Sequence, residues 1–178
     1  MDLLEFSNVL VDIINDLTAN RTGESVQIAN ESVELVRLRV QNSKETADGG
    51  SFGQYSEAKV PKWFFRGKSL SNGADERIRK GPSFISYSDF RDANNLPTDS
   101  INFTFSGDMW RNTGVTGIEE SEFETSVNVG GQTTRAKELL GFHAERFGSL
   151  LEMSEKEVQF IVNAHSERIS NTLSKFLQ

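Results

Sequence analysis

The sequence predicts an α+β fold: long helices packed on a small antiparallel β-sheet, with an extended basic-aromatic loop or arm. Three observations predict it. Both ends of the chain carry apolar residues three and four apart, as helices with one buried stripe do. The stretch from Ile101 to Val129 alternates with period two, as half-buried strands do. Between them, Lys59–Lys80 gathers seven bases against two acids around the aromatic run "KWFFRGK".

Taken in order, Leu3, Phe6, Leu10, Ile13, Ile14 and Leu17 form the first helical stripe, with Asp12 and Asp16 on the other face. "ANRTG" (Ala19–Gly23) predicts a break, because Asn and Gly favour turns over helix interiors. Glu24–Asn42 keeps helical spacing at Val26, Ala29, Val33, Val36 and Val40 and predicts a second helix, although Val36–Val40 also alternates. Ser43–Lys59 is turn chemistry, with Asp48-Gly49-Gly50 and Gly53.

Residues 84–93 predict a short helix opened by Ser86 or Ser88 and closed by Asn94-Asn95-Leu96-Pro97. Ile101, Phe103 and Phe105 predict a strand, followed by strands at Thr113–Ile118 and Phe123–Val129. Such short connections make a three-stranded antiparallel meander. Thr133–Phe147 reads as a helix. The last helix opens on the capping box Ser154-Glu155-Lys156-Glu157, with Met153 and Val158 spaced as a hydrophobic staple. Val158, Ile161, Val162, His165, Ile169, Leu173 and Phe176 make its inner stripe.

The chain length suits one domain, 1–178, with 59–85 as an inserted loop or arm. Hydrophobic residues make up 36%, and the 14 glycines bring the chain near the low edge of the roughly 45–50% usual for globular proteins. A modest core and partner-dependent surface are expected. The net charge is −7, and since Lys59–Lys80 carries +5, the rest carries −12. A body so acidic repels phosphate and does not broadly coat nucleic acid. There is no cysteine, which excludes disulfides and thiolate metal sites. Acids at Asp2, Glu5 and Asp12 and the lack of a basic n-region predict no secretory signal, and no apolar run is long enough to span a bilayer. A protein made in the cytoplasm is expected.

No residue set points to catalysis, a cofactor or a metal. His143 and His165 sit on apolar helical faces without an HExxH context, which predicts packing or hydrogen-bonding roles. No GxSxG elbow exists, and Gly49–Gly53 lacks the lysine of a phosphate-binding loop. The basic-aromatic stretch is the exception. Trp63, Phe64, Phe65 and Arg66 suit subunit or partner contacts, for aromatics and Arg are typical interface anchors. The alternative is a nucleic-acid-binding module over 59–80, stacking bases on the same rings. Trp110 finishes a core or faces a neighbour. Ser106, Gly107 and Asp108 predict a structural turn, with Asp108 capping the short turn that carries Met109 and Trp110.

Several stretches occur together in an order with a precedent. These are "DGGSFGQYSEAK" (Asp48–Lys59), "YSDFRDANNLPTDSINFTFSGDMW" (Tyr87–Trp110), "VNVGG" (Val127–Gly131), "RAKELLGFHAERFG" (Arg135–Gly148) and "LEMSEKEVQFIVNAHSERISNTL" (Leu151–Leu173). In this order they resemble the virion morphogenesis proteins of tailed bacteriophages, which act in head–tail joining or tail completion. Two features depart from that pattern: Ser106 stands where a threonine is usual, and Lys62–Phe84 is longer and more basic-aromatic. The resemblance implies an α+β subunit without enzymatic activity. It also implies a structural virion protein, assembled in the host cytoplasm, that forms a homo-oligomeric ring of six or twelve copies at the neck. Its partners would be the portal or an adjacent connector ring and the tail proteins, with DNA passing through the lumen and no membrane involved.

Overall fold

The computed structural model describes residues 3–122 and 124–176 and is α+β. Its spine is α1, Leu3–Leu38, a single helix of 36 residues and so about 54 Å long at 1.5 Å per residue. The break expected at Ala19–Gly23 does not occur. Asn20 turns its amide back to the Asp16 carbonyl at 3.0 Å, which satisfies the side chain within the helix. Arg21 is meanwhile anchored to the backbone carbonyls of Ser121 and Glu122 at 2.7 and 2.9 Å. The propensity cost of one glycine, about 1 kcal/mol, yields to these tertiary contacts. A wider π turn at Arg39–Ser43 ends the helix, with Lys44 left-handed and its N–H on the Arg39 carbonyl.

The segment expected as an extended arm is folded on itself. Strand β1 (Val60–Pro61) pairs antiparallel with β2 (Phe84–Ile85). Between them lie a 3-10 turn, Lys62–Phe65, and α2, Asn72–Lys80, whose first turn is capped by the Ser71 hydroxyl on the Ala74 amide. Helix α3, Tyr87–Ala93, follows through a reciprocal capping box: the Ser86 hydroxyl accepts from Asp89 N, and the Asp89 carboxylate accepts from Ser86 N. Phe65, Ile78, Ile85, Phe90 and Ala93 form a small core of this lobe, in which Phe65 stacks on Phe90 with ring centroids 4.5 Å apart.

The strand expected at Ile101–Phe105 is a second difference. This stretch joins no sheet, because other groups take its backbone bonds. Ile101 N–H goes to the Gly53 carbonyl, Asn102 N–H to the Tyr55 hydroxyl, and the Thr104 carbonyl accepts from Arg91. Phe103 is left-handed, with φ of 50°. The alternating side chains therefore serve two cores, Ile101 and Phe103 the main one and Phe105 that of the lobe.

Helix α4, Asp108–Arg111, leads into the hairpin β3 (Thr113–Glu120) and β4 (Thr125–Gly131), with an irregularity between Val115 and Gly117. The meander is thus two-stranded. Helix α5, Thr134–Phe147, starts directly against the end of β4: a Cβ on Gly131 would lie 2.5 Å from Lys137 N. Helix α6, Glu155–Phe176, opens on the expected capping box, with Ser154 N–H on the Glu157 carboxylate at 2.7 Å. It packs antiparallel on α1, for Glu157 meets Arg39 while His165 and Arg168 meet Glu31 and Glu24. The hairpin also packs on α1. The main core, Val36, Val40, Phe52, Tyr55, Ile101, Met109, Trp110 and Leu150, lies where α1, the 101–110 connection and the 150–153 linker meet.

The terminal stripes are only partly buried. Ile13, Ile161 and His165 are covered, but Leu10, Ile14 and Leu17 on α1 and Val158, Val162 and Ile169 on α6 remain exposed. Met153 packs on the main core, and Val158 remains 46% exposed. The expected packing of Leu3, Phe6 and Phe176 and the strand position of Phe123 lie outside the described residues. Among the described residues no helix is long and apolar enough to cross a membrane.

Candidate interaction surfaces

The basic-aromatic run is divided by the fold of its lobe. The 3-10 turn at Lys62–Phe65 sends successive rings in different directions. Trp63 is 71% and Phe64 51% exposed, whereas Phe65 is 4% exposed within the lobe core. Lys68 Nζ lies 4.0 Å over the Phe64 ring, and Arg66 is exposed beside it. Phe65 is therefore not an interface residue in this arrangement: its ring is spent on Phe90. Two of the bases are also committed internally. Lys62 Nζ donates to the carbonyls of Arg79 and Gly81, and Arg77 bonds the Ala93 carbonyl and Asn95. The free surface of the lobe is Trp63, Phe64, Arg66 and Lys68, joined by exposed Leu70 and Phe84.

Trp110, the other predicted contact, is 3% exposed and completes the main core. Gly107 is left-handed, with φ of 78°, as the turn requires. Asp108 does not cap the turn, as the sequence suggested; it is the first residue of α4. The Ser106 hydroxyl donates to the Asp108 carboxylate at 2.6 Å and accepts from its amide. That hydroxyl, with the Arg111 guanidinium, holds the Asp108 carboxyl below its ordinary value.

The structure brings together a polar hub that sequence reasoning did not single out. Arg91 is 1% exposed and donates to the Pro97 carbonyl at 2.9 Å, the Thr104 carbonyl at 2.7 Å and Asn102 Oδ1 at 3.3 Å. Its guanidinium also lies 4.0 Å over the Tyr55 ring, and Tyr55 donates to Asn102 at 2.9 Å. Burial pushes the Tyr55 phenol above its ordinary value. An arginine inside "SDFRDA" has no local pattern that marks it as buried; its partners are six to thirteen residues away.

Beside this hub, the 101–109 connection and α5 enclose a cavity of about 530 Å³. Tyr55, Tyr87, Phe103, Phe142 and Phe147 line it, and Arg91, Arg135 and Arg146 supply positive charge. His143 stands in the same wall, its ring edge-on to Phe103 at 4.7 Å. Burial lowers its pKa from 6.5, and its Nδ1 has no hydrogen-bond partner. A second, more apolar groove of about 420 Å³ runs between α1 and β4, past Ile28, Val33, Val127 and Met153.

The other histidine works differently. His165 sits between two carboxylates, Nδ1 3.5 Å from Glu24 and Nε2 3.4 Å from Glu31. Arg168 Nη2 donates to Glu31 at 2.8 Å, and this bond, followed by that from Gln27, keeps the Glu31 carboxyl below its ordinary value. This cluster ties α6 to α1. Among the described residues no group of three or more His, Asp or Glu side chains is placed to hold a metal ion.

Compared with known proteins, the chain matches no family model, no curated protein and no solved structure at a significant level.

Proposed function

We propose that this chain is a structural virion protein of a tailed bacteriophage, forming a ring at the portal–tail junction that adapts the portal to the tail around the DNA channel. The observation that supports this reading best is apolar surface left open on three separate elements. Leu10 and Ile14 on α1, Trp63 and Phe64 on the lobe, and Val162 and Ile169 on α6 are 42–71% exposed. Single exposed apolar residues are ordinary, but runs on several faces mark surfaces that other proteins cover. A ring subunit needs two different faces, one for each neighbour, and further faces for the proteins above and below. The order of motifs along the chain points to the same class. In this reading the chain has no catalytic role and needs no cofactor. The acidic body lets DNA slide through the lumen without gripping it.

The test is mass spectrometry of purified particles from the phage that carries this sequence. The protein is expected at a fixed copy number in tailed particles. Its absence from them would end the proposal.

A second reading has one observation in its favour: Trp63 and Phe64 are open to solvent beside Arg66 and Lys68, as a platform for single-stranded nucleic acid would be. It predicts oligonucleotide binding that falls steeply with salt and is lost when both rings are replaced by alanine. No retardation of labelled oligonucleotides at low salt would remove it.

A further inference from the structure

The aromatic cavity beside α5 is anomalous for this molecule. The chain is acidic, with a net charge of −7, yet the cavity carries Arg91 in its wall and Arg135 and Arg146 around it, against the single carboxylate of Asp108, which is paired with Arg111. Arg135 keeps 72% of its side chain exposed, and its nearest carboxylate, Glu138, is 3.6 Å away on the same helix. The Arg146 guanidinium lies 5.1 Å from the Phe147 ring centroid. Phe142, 63% exposed, leaves an aromatic edge open to solvent. Aromatic walls with guanidiniums above them select a ligand that is apolar in part and anionic in part.

The chain itself carries a segment of that chemistry. The end of β3 and the turn into β4 read Glu119-Glu120-Ser121-Glu122-Phe123-Glu124, an aromatic residue among four acids. The glutamates are exposed, and the partners of three of them are neutral: Asn128 on Glu119, Thr22 on Glu120 and Ser126 on Glu124. Arg21 holds the Ser121 and Glu122 carbonyls, which ties the start of the turn to α1 while the described carboxylates stay exposed. The basic lobe fits the cavity poorly, since Arg66 and Lys68 would meet Arg135 and Arg146.

Turn and cavity do not meet within one subunit. The turn lies at one end of β4, before Thr125, while α5 begins just after Gly131 at the other. Six residue steps along a strand separate those ends by about 20 Å. We propose that the cavity receives the acidic β3–β4 turn of a second copy of this chain. The contact is heterologous, cavity on one copy and turn on the next, and repeated by rotation it closes a ring. The proposal rests on the ring reading above and names the contact that makes the ring.

Two measurements test it. A labelled peptide of residues 117–128 is titrated with the full chain and followed by fluorescence anisotropy. Saturable binding is expected, weakened roughly tenfold or more in the double variant Arg135→Glu/Arg146→Glu, and weakened by salt. Circular dichroism of that variant should match the parent, because the exposed Arg135 contributes little to folding. In the second measurement, chains carrying Arg135→Glu/Arg146→Glu are mixed with chains carrying Glu122→Lys/Glu124→Lys. Native mass spectrometry should find the two variants joined to each other and neither joined to itself.

No peptide binding at concentrations where the chain assembles would overturn the proposal. So would equal binding of a scrambled peptide of the same composition, which would assign the cavity to some other acidic partner. If the protein is present in tailed particles but the peptide does not bind, the cavity proposal alone falls. If peptide and mixed variants behave as expected but particles lack the protein, the portal–tail reading falls and the contact stands.

Discussion

Arg39 Nε donates to Glu157 Oε1 at 3.0 Å, with both side chains 10% exposed, and so locks the end of the spine helix to the first turn of α6. The same guanidinium reaches the carbonyls of Glu45 and Glu152, and Glu157 also caps α6 through Ser154. Removing one partner leaves the other charge nearly buried and alone, at a cost of about 3 kcal/mol. Arg39→Ala is therefore expected to lower the midpoint of urea unfolding well beyond Ser154→Ala, which loses a cap worth about 1 kcal/mol. A double-mutant cycle of Arg39→Ala with Glu157→Ala should show clear non-additivity.

Arg91 makes the stronger case for a side chain that cannot be exchanged. Lysine keeps the charge but lacks the planar fork that reaches Pro97, Thr104 and Asn102 together. Arg91→Lys and Arg91→Met are both expected to destabilise by about 3 kcal/mol or more, since each strands buried acceptors. Equilibrium unfolding of the two variants checks this.

Two glycines should respond in opposite directions. At Gly131 an added methyl meets the α5 backbone at 2.5–2.9 Å, so Gly131→Ala is expected to cost about 1–3 kcal/mol. At Gly23, inside α1, nothing lies within 4 Å, and Gly23→Ala is expected to stabilise by about 0.5–1 kcal/mol. Thermal melts of the pair would display both signs.

His143 gives a pH dependence. Burial favours its neutral form, so the folded-state pKa lies below the ordinary 6.5. The stability tied to the neutral ring is present above that value and is lost progressively as pH falls from it through the folded-state pKa. The stability difference between the parent and His143→Phe should therefore move in favour of the variant on going from pH 7.5 to pH 5. Melting curves across that range measure it.

The three residues of the aromatic run should separate cleanly. Phe65→Ala opens a cavity in the lobe core and is expected to cost about 3–5 kcal/mol. Trp63→Ala and Phe64→Ala remove exposed rings and should stay within about 0.5 kcal/mol of the parent. Denaturant unfolding distinguishes the two outcomes, and either exposed ring proving as costly as Phe65 would show that the lobe is built differently.

Local chemistry made much of this fold legible. The capping box at Ser154–Glu157, the alternation in Thr113–Ile118 and the helical period of Thr133–Phe147 each depend on neighbours close in sequence, and each is found where expected. The misreadings occur where distant groups decide. Ala19–Gly23 stays helical because the hairpin turn binds Arg21 from a hundred residues away. Ile101–Phe105 alternates like a strand, yet Arg91 and Tyr55 occupy its backbone groups. The run at Trp63–Phe65 stands out in composition, but composition cannot separate the ring that faces Phe90 from those facing solvent. The cavity beside α5 had no sequence signal, because its walls come from four separate stretches of chain.

Native mass spectrometry of the full chain, alone and mixed with the portal and tail proteins encoded alongside it, tests the proposed ring most directly. A closed ring of six or twelve copies, formed in the mixture and shielding Trp63, Phe64, Val162 and Ile169, is the predicted result. A chain that stays a monomer in that mixture, with those side chains as open as before, would contradict it.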